Sequence, residues 1–200
     1  MRLTTAGLTH RFAGQQALFE NVDLTLTPGG LTALMGPSGS GKTTLLTILA
    51  GWVPPTSGTV TRDGINTVSW VAQNPHGVAK RTALDHAALP LLARGYRRSD
   101  AEIRAEALLA DFHLGAVAGR LFRHLSGGEA GRLMLACAVA ADPDLLLVDE
   151  PTAQLDPASS TRVIDVLGGL ADSGRLVLVA THDTRVKDAC DTVITLGGSR

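Results

Sequence analysis

Cysteine is nearly absent from this chain of 200 residues: there are two, Cys137 and Cys190. Two thiols make no disulfide framework, and their positions have no metal-ligand spacing, so a reducing compartment is expected. Cys137 lies in an apolar helical run and reads as a small core residue. No stretch approaches the roughly 18 consecutive apolar residues of a membrane span. The first residues, Met1-Arg2-Leu3-Thr4-Thr5, carry no apolar core of a secretion signal. Net charge is −1, which argues against a general nucleic-acid binder, and the acids do not gather in a tail. What is present is a chain 44% hydrophobic and 18% charged, enough to bury a sizeable core.

The pattern with the most information is Gly36-Pro37-Ser38-Gly39-Ser40-Gly41-Lys42-Thr43. It fits the phosphate-binding loop G-x-x-x-x-G-K-[ST]. The apolar run Leu31 to Met35 before it reads as a buried strand. Thr43 to Ala50 after it reads as a helix, with Gly51 as its stop. Glycines let the backbone approach a ligand closely, and the loop amides with the helix N-terminus favour an anion. Lys42 then suits β- and γ-phosphates, and the Thr43 hydroxyl suits Mg²⁺.

Along the chain, Arg2–Thr9 and Val22–Leu26 read as strands of a small antiparallel sheet, followed by Gly58–Arg62 and Val68–Ala72. Residues 82–124 read as mostly helical. Ser99-Asp100-Ala101-Glu102 fits a capping box ahead of an apolar face of Ile103, Ala107, Ala110 and Leu114. Arg94, Arg97 and Arg98 read as solvated charges. Ser126-Gly127-Gly128-Glu129 opens a helix to about Ala141. Asp144–Val148 and Arg175–Ala180 are apolar enough to be strands buried on both faces. Asp156-Pro157 reads as an N-cap followed by the first helical position. A short helix and a strand, Thr192–Leu196, follow. The alternation implies an α/β fold with a mostly parallel, helix-covered sheet.

Ligands of such sheets bind past the carboxyl ends of the strands, where Gly36, Gln73, Asp149 and His182 all fall. Asp149, like Thr43, offers hard oxygen to Mg²⁺, and Glu150 is free to act as general base towards water. Gln73 can meet an ion and a water, and His182 a γ-phosphate. Ser126-Gly127-Gly128 is a second anion-binding shape, serving either another ligand or a site on another copy of the chain.

Taken together these residues resemble the nucleotide-binding domain of ATP-binding cassette (ABC) transporters across essentially the whole chain. The matching motifs are the P-loop, the Q-loop glutamine Gln73, the signature Leu125-Ser126-Gly127-Gly128-Glu129 with Arg132 after it, and the Walker B strand Leu145 to Glu150. The D-loop Ala153 to Pro157 and the switch histidine His182 complete the set. The resemblance implies a P-loop NTPase core, a small N-terminal antiparallel β subdomain, and a helical subdomain at about 82–140 within one domain, 1–200. It implies ATP and Mg²⁺ as cofactors, with nucleotide contacts from Gly36 to Thr43, Thr44, Ser126, Gly127, Gly128 and Asp156. Phe12 would stack on adenine where the family usually has Tyr. Glu150, His182, Lys42 and Gln73 would be catalytic; Thr43, Gln73 and Asp149 would hold the metal.

It further implies a head-to-tail homodimer or pseudo-dimer with ATP sandwiched at its interface, a separate membrane permease contacted by the helical segment, no nucleic-acid partner, and a cytoplasmic place at the inner face of the membrane. Thr82 to Leu92 is similar to the lipoprotein-releasing and macrolide-export type. Departures are Glu129 where Gln is most common, Gln154 where a small residue is usual, and a short stretch from Trp52 to Gln73. With its early end after His182, this looks like a minimal cassette without a C-terminal regulatory domain. Two other readings use the same motifs: a soluble ABC ATPase acting on DNA or ribosomes, and a regulatory protein that binds ATP without turnover.

Overall fold

A computed structural model describes residues 1–153 and 155–197. Gln154 lies outside the described residues. The chain forms two compact units. One takes in Met1–Trp70, Asp144–Glu150 and the chain from Leu167; the other takes in Val71–Pro143 and Pro151–Val166. The helical unit therefore contains the expected 82–140 segment and extends past it at both ends. Among the described residues no helix is long and apolar enough to cross a membrane.

The first unit opens with an antiparallel sheet: β1 (Arg2–Arg11), β2 (Ala17–Val22), β3 (Thr25–Leu26) and β5 (Ser57–Asp63), with β1 pairing all three others. The expected strand Val22–Leu26 is corrected here. Val22 ends one strand and only Thr25–Leu26 form the next. Side chains interrupt the ladder: the Thr5 hydroxyl donates to Val22 O (2.8 Å) and accepts from Leu24 N–H (3.0 Å), while Asp23 Oδ1 accepts from Gly7 N–H (2.6 Å).

The central sheet has the order β6 (Val68–Val71), β7 (Leu145–Asp149), β8 (Leu176–Thr181), β4 (Leu31–Met35), β9 (Thr192–Thr195). β4 pairs in parallel with β8 and β9, and β7 with β8. Every residue of β7 and β8 is buried, which is why both read as unbroken apolar runs. Helix α1 (Lys42–Ala50) ends at Gly51, whose φ of 84° is left-handed. It buries Leu45, Leu46, Ile48 and Leu49 against Leu34, Leu145, Leu147 and Leu178. Each such leucine contributes roughly 1.5–3 kcal/mol of burial, so this layer sets the sheet that carries the loops.

The helical unit contains α2 (Ala83–Ala93), α3 (Arg98–Asp111), α4 (Gly127–Ala140) and the first turns of α5 (Pro157–Asp172). The capping box expected at Ser99 is not there. Helix α3 starts at Arg98 behind Arg97, which makes no side-chain cap. Its buried face is Ala101, Ala105 and Leu109, whereas Ile103 is 66% exposed and Ala107 and Ala110 also face out. Small residues four apart let this helix approach its neighbours closely, and a bulky Ile drew the expected face to the wrong side. Of the expected set only Leu114, beyond the helix, is buried. Arg94 is no solvated charge either: its guanidinium donates to Ala140 O (2.9 Å) and Asp142 Oδ2 (2.7 Å). Capping boxes form instead at the start of α2, between Thr82 and Asp85, and at the start of α4, between Ser126 and Glu129. A short helix of the first unit, α6 (Thr184–Asp188), is capped by Asp183.

Candidate functional site

The glycine loop connects β4 to α1 inside the first unit. Gly39 (φ 78°) and Gly41 (φ 93°) take left-handed backbone that a side chain would strain. A Cβ on Gly36 would lie 2.6 Å from Ser40 Oγ and 2.7 Å from Leu196 O, so the loop closes where only glycine fits. Helix α1 begins at Gly41 with no side-chain cap and no acid in its first turn. Its leading N–H groups are thus available to an anion. Ser40 Oγ is buried and has no hydrogen-bond partner among the described residues. An orphan hydroxyl, uncapped amides and glycines at 36, 39 and 41 fit a phosphate chain.

Lys42 is buried, and its ammonium donates to the loop carbonyls of Gly36 (2.8 Å) and Pro37 (3.3 Å). It also lies 3.9 Å from Glu150 Oε1. Thr43 Oγ1 donates to Asp149 Oδ2 at 2.6 Å. Asp149 ends β7 and is 3% exposed. Burial pushes its carboxyl above the ordinary range, the Thr43 hydrogen bond opposes that, and the Glu150 charge adds to it. Two hard oxygens side by side at a strand end suit a divalent ion.

Glu150 adopts φ 49°, unusual without glycine, and its N–H donates to Ala180 O (2.8 Å). That left-handed turn comes directly after the last residue of β7. Thr181 Oγ1 donates to Glu150 Oε2 (3.2 Å), and His182 Nδ1 meets Oε1 at 2.9 Å. The carboxylate thus has Lys42, Thr181 and His182 around it, while the His182 side chain is 72% exposed. Thr181 was missing from the sequence reading. Its only signal was a hydroxyl residue ending an otherwise apolar strand, fully buried here.

Phe12 follows β1 and is 48% exposed. The structure therefore brings together the loop 36–43, Asp149, Glu150 and His182 in one unit. Gln73, Ser126, Gly127, Gly128 and Asp156 belong to the other. There Gln73 is exposed just past β6. Ser126 caps α4: its Oγ accepts from Glu129 N–H (3.2 Å), and Glu129 Oε2 accepts from Ser126 N–H (2.7 Å). Glu129, the acid where Gln was expected, also pairs with Arg120 (3.2 Å). The backbone bond from Ser126 holds its carboxyl below the usual range. Asp156 caps α5 by accepting from Ser159 N–H (3.0 Å) and Oγ (2.6 Å), and Arg132 donates to the same Ser159 hydroxyl (3.3 Å).

Residues 19–153 match the family model for ABC transporter. The chain is 36% identical to an ABC transporter ATP-binding/permease protein of Mycobacterium tuberculosis over 97% of this chain and 24% of that protein. It is 36% identical to the lipoprotein-releasing system ATP-binding protein LolD of Hyphomonas neptunium, covering 94% of this chain and 89% of the relative. Among solved structures, the ATP-binding cassette MJ0796, dimeric in a post-hydrolysis state with ADP and Pi, superposes with a TM-score of 0.88 at 28% identity, over 97% of this chain and 94% of the other. The chain spans about a quarter to three fifths of the length of several curated mycobacterial relatives it matches.

Proposed function

The chain belongs to the ABC transporter family, and from that membership we propose that it is the ATP-hydrolysing subunit that drives a separate membrane permease. The observation that carries this is Glu150, held by Thr181 and His182 beside Lys42, with the Thr43–Asp149 pair on the neighbouring residue. ATP would lie along Gly36 to Thr44, with adenine against Phe12. Mg²⁺ held by Thr43 and Asp149 would supply charge neutralisation on the phosphates. Lys42 leaves the loop carbonyls for the β- and γ-phosphates. Glu150 takes the proton of the attacking water at a carboxylate oxygen. His182, engaged through Nδ1, has Nε2 left to meet the γ-phosphate. Ser126, Gly127, Gly128 and Asp156 would complete the site on a second copy in a head-to-tail homodimer. The dimeric cassette that the fold superposes on supports this arrangement.

The near-neutral charge disfavours the DNA or ribosome reading, and the positioned Glu150 disfavours binding without turnover. Similarity to LolD supports the lipoprotein-releasing type and a cytoplasmic place at the inner membrane face. Phosphate release by the purified protein with ATP and Mg²⁺ tests the proposal. Wild type should turn over, EDTA should stop it, and Glu150→Gln should lower kcat by about 10²–10⁴-fold. Wild-type release no faster than that of Glu150→Gln would overturn it.

A further inference from the structure

His10 is a buried imidazole that no motif explains. It is 7% exposed, and neither Nδ1 nor Nε2 has a hydrogen-bond partner among the described residues. A buried histidine normally finds at least one, because an unpaired donor or acceptor away from water is costly. The strand is irregular on both sides of it. The β1–β2 register shifts between Leu8 and His10 and again between His10 and Arg11, and Leu8, Thr9 and His10 are buried in succession. Bulges of this kind re-aim a side chain.

What the ring does have is two aromatic neighbours. Phe12 meets it edge-to-face, centroids 5.1 Å apart at 88°, and Phe19 lies tilted at 6.2 Å and 30°. Phe19 is buried, and its Cδ1 stands 3.0 Å from where a Cβ on Gly41 would be, so it closes against the glycine loop. Phe12 is the exposed member of the group at 48%. An exposed aromatic at the end of a strand has rotamer freedom to lose when a flat ligand stacks on it, and a fixed neighbour removes that loss in advance.

We propose that His10 is a positioning residue: it uses its ring, not its nitrogens, to hold Phe12 in the orientation that receives a purine base. This rests on Phe12 being the base-stacking residue of the proposed ATP site. The role belongs to the base alone, since the phosphates are held by the loop and α1.

Calorimetric titration of the intact chain with ADP and with pyrophosphate, both with Mg²⁺, separates base from phosphate. His10→Ala should weaken ADP about two- to tenfold, the span of one edge-to-face pair, and leave pyrophosphate unchanged. His10→Leu, which refills the space without a ring, should show the same loss, and His10→Phe should restore ADP binding to near wild type. In a Phe12→Ala background, His10→Ala should cost nothing more. Equal loss of ADP and pyrophosphate overturns the proposal, as it would mean a disturbed loop reached through Phe19. Unchanged ADP affinity in His10→Leu, or losses that add to Phe12→Ala, also overturn it. Wild-type protein that binds neither ligand refutes the ATP site itself. Phe12→Ala binding ADP as wild type refutes the stacking premise, and His10's role with it.

Discussion

Thr43 Oγ1 and Asp149 Oδ2 are 2.6 Å apart, joining the first turn of α1 to the last residue of β7 across 106 positions of sequence. The bond sits in a place where burial pushes Asp149 above its ordinary range. An acid with a raised folded pKa favours the fold while protonated, and that contribution is lost as pH rises through the folded value. Above the ordinary aspartate range Asp149 therefore costs the ligand-free protein stability. Asp149→Asn, which keeps an acceptor for Thr43, should raise Tm at pH 7 by about 2–4 °C. The gain should shrink as pH falls towards the ordinary aspartate range. The same variant should lose Mg²⁺-dependent nucleotide stabilisation, measured by thermal shift with and without ATP and Mg²⁺.

Thr181 supplies a hydroxyl to Glu150 from inside the sheet. Thr181→Val keeps the shape and removes the bond, so Glu150 loses orientation while the phosphate cradle is untouched. Steady-state kinetics should show kcat down by about 3–30-fold with KM for ATP little changed, the signature of an interaction expressed in the transition state.

Gly36→Ala would place a methyl 2.7 Å from the Leu196 carbonyl and 2.6 Å from the Ser40 hydroxyl. The hydroxyl can rotate away, but the backbone carbonyl cannot move cheaply. Denaturant unfolding should show a loss of about 1–3 kcal/mol. Fluorescent nucleotide binding should fall below detection.

Asp85 and Glu129 both close capping boxes, and both carboxyls are held below the usual range, Asp85 chiefly by the Thr82 hydroxyl and Glu129 chiefly by the Ser126 N–H. A depressed folded pKa gives stability above the unfolded value that disappears as pH falls through the folded one. Acidification from about pH 5 to about pH 3 should therefore unravel stability that an Asp85→Asn/Glu129→Gln variant lacks at the outset. Its Tm should be lower than wild type near pH 7 and the two should converge in acid. Thr82→Ala alone should cost about 1 kcal/mol.

Burial pushes the Cys137 thiol up to about 12 and the Cys190 thiol up to about 11. Thiolate is the reactive form, so a maleimide at pH 8 should label the native protein far more slowly than the urea-unfolded chain. Mass spectrometry of timed aliquots reads this directly.

The strands of the central sheet were legible because burial on both faces writes an unbroken apolar run, as in Leu145 to Val148. Helix stops at Gly51 and starts at Ser126 and Asp156 were legible because caps are chemistry local to a few residues. Helix α3 was misread for the opposite reason: its buried face is two alanines and a leucine, a weak signal beside the exposed Ile103. The second strand was misplaced because the Thr5 and Asp23 side chains take hydrogen bonds that a strand would have made.

The linear order of motifs by itself determined the phosphate loop, the acidic strand end and the family, since each motif is a run of neighbours whose spacing dictates its chemistry. Tertiary structure alone decided that Thr181 braces Glu150, that Lys42 rests on the loop carbonyls, and that His10 stands unpaired against Phe12. Thr181 and Glu150 stand at the ends of two different strands, while the Lys42 and His10 contacts depend on how the glycine loop folds back on itself and how β1 bulges in space, which no local pattern records.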